Sequence, residues 1–396
     1  MLTIENASIL LGPELEHIER GYIRIDSGAI VDAGPGKSGG SGKRLDAGGF
    51  LVIPGFINAH THVADSIGKD IAAGKRLDAR VHPVFGAKKT ILEKSAAAHL
   101  QVFVRSSAVS MLQKGITAFA DFREGGPQGV RLLKDAVAGL PIKCVVLGRA
   151  DHYSDPSGTE GLPPQAIAKA REVLKIADGL GISGANENTD TALAQYGEMA
   201  AGKIVAIHAA ESKEAAEFSM QHTGRSEVER IIGHLKPDIV VHATNATDSD
   251  ISLVAGRAGV VVCPRANGVL GAGLPRVAEM MRRGCQIAIG TDNVMLNSPD
   301  MFRELDYLWK ASHAAGEFIE PRELIKMATV NAARMLGLDS GSIEAGKAAD
   351  LVVIDTKHAD LYPVHDPYAA VVHRAGPGSV AAVMVNGRFA IPGVFQ

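Results

Sequence analysis

Residues 53–66 read IPGFINAHTHVADS. An apolar run stops at Pro54-Gly55, a short strand-like segment follows, and it ends on two histidines one residue apart, His60 and His62. Side chains at i and i+2 of a strand point to the same face. The two imidazoles therefore face one way, where the strand should end. Two neutral imidazoles so placed can grip one metal ion, although a pair of surface or loop histidines would look the same in isolation. Further ligands at the ends of other strands must decide.

From residue 51 onward, short β-branched runs alternate with longer segments that are apolar at helical spacing. The strand candidates are FINAHTH, ITAFADF, IKCVVLGRA, LGISGAN, IVAIHAA, IVVHATN, VVVCPRAN and QIAIGTDN. Segments such as SAAAHLQVFVRSSAVSMLQK and PPQAIAKAREVLKIADGL lie between them. Eight strands alternating with helices fit a (β/α)8 TIM barrel, with a doubly wound open sheet as the alternative. After ELIKMATVNAARMLGL, read as one amphipathic helix, strand grammar returns in GSIEAGKAADLVVID and VAAVMVNGRF. The first fifty residues are also β-rich. The expected architecture is α/β: a barrel over residues 51–340, and a small flanking β-sandwich built from both termini, residues 1–50 and 341–396.

Catalytic groups in a barrel gather at the C-terminal ends of its strands. Those ends carry His60 and His62 on the first strand, His208 on the fifth, His242 on the sixth and Asp292 on the eighth. One histidine in a strand is ordinarily structural. Four of them with a carboxylate point to a metal site.

These motifs resemble the amidohydrolase superfamily, in its metal-dependent deaminase and chlorohydrolase branch (cytosine deaminase-like, ATZ/TRZ-type). PGFINAHTH is similar to that family's first-strand signature, HAAE to its His-x-x-Glu after strand 5, and GTDN to its eighth-strand aspartate motif. ATVNAARMLGL, GSIEAGKAADLVVID and VMVNGR resemble its last barrel helix and closing β segments. The resemblance covers nearly the whole chain. It implies the barrel, the flanking β-sandwich and a hydrolytic reaction.

Binuclear members bridge two metals with a carboxylated lysine or a glutamate from strand 4. LGISGAN offers neither, Lys143 lies near the start of strand 3, and Glu187 falls just past strand 4. The expectation is one divalent ion, Zn²⁺ before Fe²⁺, held by His60, His62, His208 and Asp292; imidazole and carboxylate suit both metals. His242 is left for the substrate. Glu211, three residues after His208, could be an exposed acid at a helix start. In the family, His-x-x-Glu marks the proton shuttle of deaminases. The resemblance therefore implies catalytic roles for Glu211, Asp292 and His242, and conversion of an exocyclic ring amine to a carbonyl with release of ammonia. A cyclic amide or imidazolone hydrolase, or a chlorohydrolase, is the alternative on the same site.

Arg123, Arg149 and Arg265 recur after strands 2, 3 and 7, with His152 near Arg149. Each could form a local salt bridge, Arg123 with Glu124 or Asp121 and Arg149 with Asp151. Aimed together at one face, they would bind an anionic substrate group, because guanidinium grips carboxylate and phosphate with two prongs. The segment 63–89, with Asp65, Lys69, Asp70 and His82, is long for a connection and is expected to border the pocket.

Composition bounds the rest. The chain has 396 residues and a formal net charge of −3, which argues against nucleic-acid or membrane-surface partners. GPGKSGGSGKRLDAGG superficially suggests a phosphate loop, but Lys37 and Arg44 stand where the Walker pattern needs Gly and Ser or Thr. No signal peptide or membrane span is read. Cys144, Cys263 and Cys285 form no CxxC pair, so a cytoplasmic location is expected. The expected partner is a small-molecule substrate, and homo-oligomerisation is a base-rate expectation.

Overall fold

The computed structural model describes residues 1–39 and 41–391. Gly40, in the turn-rich stretch, and residues 392–396, at the end of the expected second domain, lie outside the described residues.

The β-branched runs form strands because each has one face turned to a packed interior and the other to helices. The parallel sheet runs in chain order through Phe56–His62, Ile116–Arg123, Lys143–Gly148, Gly179–Ile182, Ile204–Ala209, Ile239–His242, Gly259–Val262 and Ile287–Ile289. Two residues beyond Ile289, Asp292–Asn293 pairs in parallel with the first strand, Asp292 opposite Thr61. The sheet is therefore curled until its last strand lies beside its first. Ile57, Ala59, Ala118, Ala120, Phe122, Ala206, Val241, Val261 and Ala288 form the inner cluster. Phe56, Ile116, Phe119, Val240, Val260 and Ile287 belong to the larger core that includes the helices.

Helices Ala97–Leu112 and Pro164–Ile176 fall within the two segments read as helical. The last predicted helix is two, Pro321–Met327 and Val330–Met335. Thr329 leaves helical geometry at φ −138°, ψ −88°. The Ala328 carbonyl instead accepts a hydrogen bond from Ile57 N, at the base of the first strand, at 2.8 Å.

Both chain ends enter a second sheet. Its order is Arg388–Ile391, Val380–Val385, Leu351–Asp355, Phe50–Pro54, Leu2–Leu11, Glu16–Asp26, Ala29–Pro35, with Lys43–Asp46 also against Leu2–Leu11. Side chains from these strands supply a separate core of Ile4, Ile9, Ile23, Val52, Leu351, Val353 and Met384. The sheet runs to Pro54, past the expected boundary at residue 50, because Phe50–Pro54 pairs with Leu351–Asp355. Among the described residues no helix is long and apolar enough to cross a membrane. The three cysteines are unpaired.

Candidate active site

Two departures from regular strand geometry build the site. Ile57 and Ala59 point into the inner cluster, so plain alternation would send His60 and His62 outward. Between Asn58 and Thr61 the register against the second strand shifts, which changes the phase. On the sixth strand Val241 faces inward and Val240 outward. His242 then takes φ 74°, and Asp292 takes φ 57°. Left-handed backbone at such non-glycine residues costs about 1–3 kcal/mol each and concentrates where function requires a particular orientation. Gly290 allows close approach: a Cβ there would lie 2.6 Å from His60 Cβ.

The result is a compact ring of imidazoles. His60 is 4.9 Å from His62, 5.0 Å from His208 and 6.1 Å from His242 between ring centroids. Phe122 closes one side, 4.4 Å from His60. Asp292 Oδ1 lies 3.3 Å from His60 Nε2 and 3.5 Å from His62 Nε2. Hydrogen-bond acceptors set the tautomers. His62 Nδ1 faces Glu124 Oε1 at 3.1 Å and the Phe122 carbonyl at 3.2 Å. His208 Nδ1 faces the Ile182 carbonyl at 3.1 Å. Both Nδ1 atoms must therefore donate, leaving the Nε2 lone pairs free.

Burial pushes His62 down to about 3 and His60 and His208 below their ordinary range, so the rings are neutral. Burial works against ionisation of Asp292, but its contact with His60 and the neighbouring histidines hold its carboxyl well below the usual range. Both ring nitrogens of His60 and Oδ2 of Asp292 are buried without a hydrogen-bond partner. Orphaned polar atoms in the interior are costly. Here one nitrogen of His60 lies with neutral imidazoles and the Asp292 carboxylate in a single cluster, and this donor set fits a divalent cation. The closest ligand groups are His60, His62 and Asp292; His60, His208 and His242; and Glu211, His242 and Asp292.

Glu211 and His242 stand beside this ring, Oε1 and Nε2 3.7 Å apart. His242 Nδ1 faces Asn267 Oδ1 at 3.2 Å, and Asn267 in turn donates to Thr244 at 2.8 Å. Burial raises Glu211 above the ordinary glutamate range; His242 pulls against that, and Asp292 adds to it. A carboxyl so placed is a weaker acid than a free glutamate and is suited to passing a proton to a bound molecule.

The ring opens into a cavity of about 700 Å³, within the roughly 300–1,000 Å³ of sites for drug-sized ligands. Its wall includes His82 and Phe85 from the segment after the first strand, as expected of that segment. Arg149 lines the cavity, buried and without an ion pair among the described residues. Asp151, its anticipated partner, pairs with Lys169 instead.

The other three anticipated substrate contacts lie outside the cavity wall. Arg123 is buried 3.6 Å from Glu124 Oε2, Arg265 pairs with Glu304 at 3.4 Å, and His152 sits behind the wall with Tyr196. The first two are local ion pairs, the alternative that the sequence left open. Glu187 does reach the cavity, and burial raises its carboxyl. Lys143 lies at the other end of its strand, 2.6 Å from Asp350.

Two residues near the site have contacts with its members that the sequence did not assign. Glu124 lies just beyond the second strand, and burial would raise it. The charge of Lys88 and the contact with His62 overrule this and hold it well below the usual range. Asp65 accepts from Asn293 Nδ2 at 2.8 Å and from Met295 N at 3.0 Å, so it ties the first connection to the loop after Asp292.

Comparison with known proteins shows the family. Residues 51–390 match the model of the amidohydrolase family. A protein of Methanothermobacter thermautotrophicus, provisionally named an aminohydrolase, is 37% identical over 392 residues, 98% of each chain. A 5-methylthioadenosine/S-adenosylhomocysteine deaminase of Halobacterium salinarum is 30% identical over 384 residues, 91% of this chain and 86% of that one. The zinc-bound crystal structure of an adenosine deaminase from Xanthomonas campestris is similar in fold, with a TM-score of 0.86 over 98% of this chain and 92% of that one, at 22% identity.

Proposed function

The chain belongs to the amidohydrolase family, and from that premise we propose that it is a metal-dependent deaminase of an amino-substituted nitrogen heterocycle bearing an anionic group. We read the curled sheet as a closed (β/α)8 barrel and the terminal sheet as a flanking β-sandwich domain. The metal ligands in this reading are His60, His62, His208 and Asp292, with Zn²⁺ the preferred ion. The observation that carries it is His60 Nε2, without a hydrogen-bond partner, 3.3 Å from the Asp292 carboxylate, with Glu211, raised above the ordinary glutamate range by burial, next to them.

When bound, a divalent cation makes hydroxide available at neutral pH. Asp292, kept ionised by its histidines, takes the proton of the attacking water. Glu211, whose carboxyl burial makes a weaker acid than a free glutamate, delivers a proton to a ring nitrogen, which makes the adjacent carbon electrophilic. His242, fixed by Asn267, hydrogen-bonds the oxygen of the tetrahedral adduct. A C–O bond forms, the C–N bond breaks, and a carboxyl proton leaves with ammonia. Arg149, a buried cation without an ion pair among the described residues, takes the anionic group, which would complete the neutralisation that the more distant Glu124 and Asp151 begin.

The test is ammonia release by zinc-loaded protein on aminopurines, aminopyrimidines, pterins and nucleosides, each with and without a carboxylate or phosphate tail. Release that depends on Glu211 supports the reading. Ring opening or chloride release without ammonia would replace it with the alternative hydrolase on the same site.

A further inference from the structure

The structure holds a second cation in the cavity wall whose contacts run toward the histidine ring. Lys88 lies on the helix Ala87–Lys94, in the connection after the first strand. A lysine in such an exposed connection would ordinarily extend into solvent. Its side chain is instead only 8% exposed, so something specific must offset the loss of water around the ammonium.

Two carboxylates do so. Lys88 Nζ is 2.7 Å from Glu124 Oε1 and 3.9 Å from Asp65 Oδ2. The Glu124 oxygen it holds is the same one that accepts from His62 Nδ1 at 3.1 Å. Asp65 binds Asn293, the neighbour of Asp292. One ammonium therefore sits between the supports of two different members of the site, one on the first strand and one on the eighth.

We propose that Lys88 is a positioning residue: it fixes the Glu124 carboxylate against His62 Nδ1 and so keeps His62 Nε2 turned to the cation. Glu124 has other donors within reach, but their geometry is poorer. Arg123 Nη1 is 3.6 Å from the opposite oxygen, Oε2, and that oxygen has no hydrogen-bond partner. Without Lys88 the carboxylate is free to turn toward Arg123. His62 would then keep only the Phe122 carbonyl at 3.2 Å. Groups that orient a metal-binding histidine typically contribute 10–100-fold to metal affinity. The inference rests on the metal-site reading above.

The experiment measures Zn²⁺ affinity by competition with a chromophoric chelator, in the wild type, Lys88→Met, Lys88→Gln, Lys88→Arg, Glu124→Gln and the Lys88→Met/Glu124→Gln double variant. Melting of each metal-free protein controls for folding, and Lys88→Gln serves if Lys88→Met does not fold. The expected result is a loss of about 10–100-fold on removing the ammonium, recovery of most of it by Lys88→Arg, and a double variant no weaker than Glu124→Gln alone. At saturating Zn²⁺, kcat should recover and KM should be unchanged. Wild-type affinity in Lys88→Met, or losses that multiply in the double variant, would overturn the inference. A raised KM at saturating Zn²⁺ would make Lys88 a substrate contact and also overturn it. A wild-type protein that binds no Zn²⁺ would overturn the metal-site reading as well.

Discussion

Glu211 Oε1 and His242 Nε2 face each other at 3.7 Å, too far for a hydrogen bond but close enough to act on one bound molecule. Glu211→Gln therefore breaks no bond between them and keeps the side-chain shape. It removes only the transferable proton. The expected outcome is a fall in kcat of about 10²–10⁴-fold, with Zn²⁺ affinity and melting temperature close to wild type. Ammonia release, metal titration and calorimetry on one preparation check it.

Arg149 is buried in the cavity wall without an ion pair among the described residues. If its counter-ion is the substrate, Arg149→Met should raise KM for acid-bearing substrates about 10–100-fold, the scale of a hydrogen bond to a charged group. Neutral analogues should be unaffected. Equal losses on neutral and acidic substrates would assign Arg149 a structural role.

The orphaned atoms of His60 and Asp292 leave the site incomplete without a cation. Chelation should lower the melting temperature, and Zn²⁺ should restore it. A ligand at a thousand times its Kd stabilises by about 4 kcal/mol, a shift readily seen by calorimetry. His60→Ala should melt at the same temperature with and without Zn²⁺.

The side chains that gather around His60 were legible because their residue types are chemically distinctive and stand at strand ends: His62, His208, His242, Asp292 and Glu211. The means by which two strands turn those side chains inward was not legible. Strict alternation from Ile57 and Ala59 would have pointed His60 outward, and only the register shift beyond Asn58 re-aims it. Lys88 and Glu124 were missed for a different reason. They are distant in sequence and meet at 2.7 Å only when the first connection folds over the sheet. Arg123 and Arg265 were candidates by position alone. Tertiary structure gave each a nearby carboxylate, Glu124 and Glu304.

Glu227 should leave a pH signature on stability. It is buried, accepts from Ala210 N at 3.0 Å, and burial pushes it up to about 8. A carboxyl raised in the folded state favours folding most below its unfolded value, and that contribution is lost as pH rises through the folded one. Wild-type stability should therefore decline between about pH 4.5 and 8 relative to Glu227→Gln, by at most about 5 kcal/mol. Denaturant melts of both proteins across that range measure the difference. Parallel curves would show that Glu227 does not titrate there.

Lys143 separates structural from catalytic use of a lysine in this fold. Its Nζ is 2.6 Å from Asp350 Oδ2, and Asp350 also accepts from Asn386 N at 2.8 Å, beside the terminal sheet. Asp350 is 2% exposed, so removing the cation leaves a buried carboxylate with one remaining partner. Lys143 itself is 23% exposed, and solvent reaching it reduces the loss to about 1–3 kcal/mol. Lys143→Met should therefore lower the melting temperature while kcat and Zn²⁺ stoichiometry stay at wild-type values. A bridging ligand to a second metal would give the reverse: lost metal and lost activity with little change in melting of the metal-free protein. Its position at the start of its strand, away from His60 and Asp292, favours the first outcome.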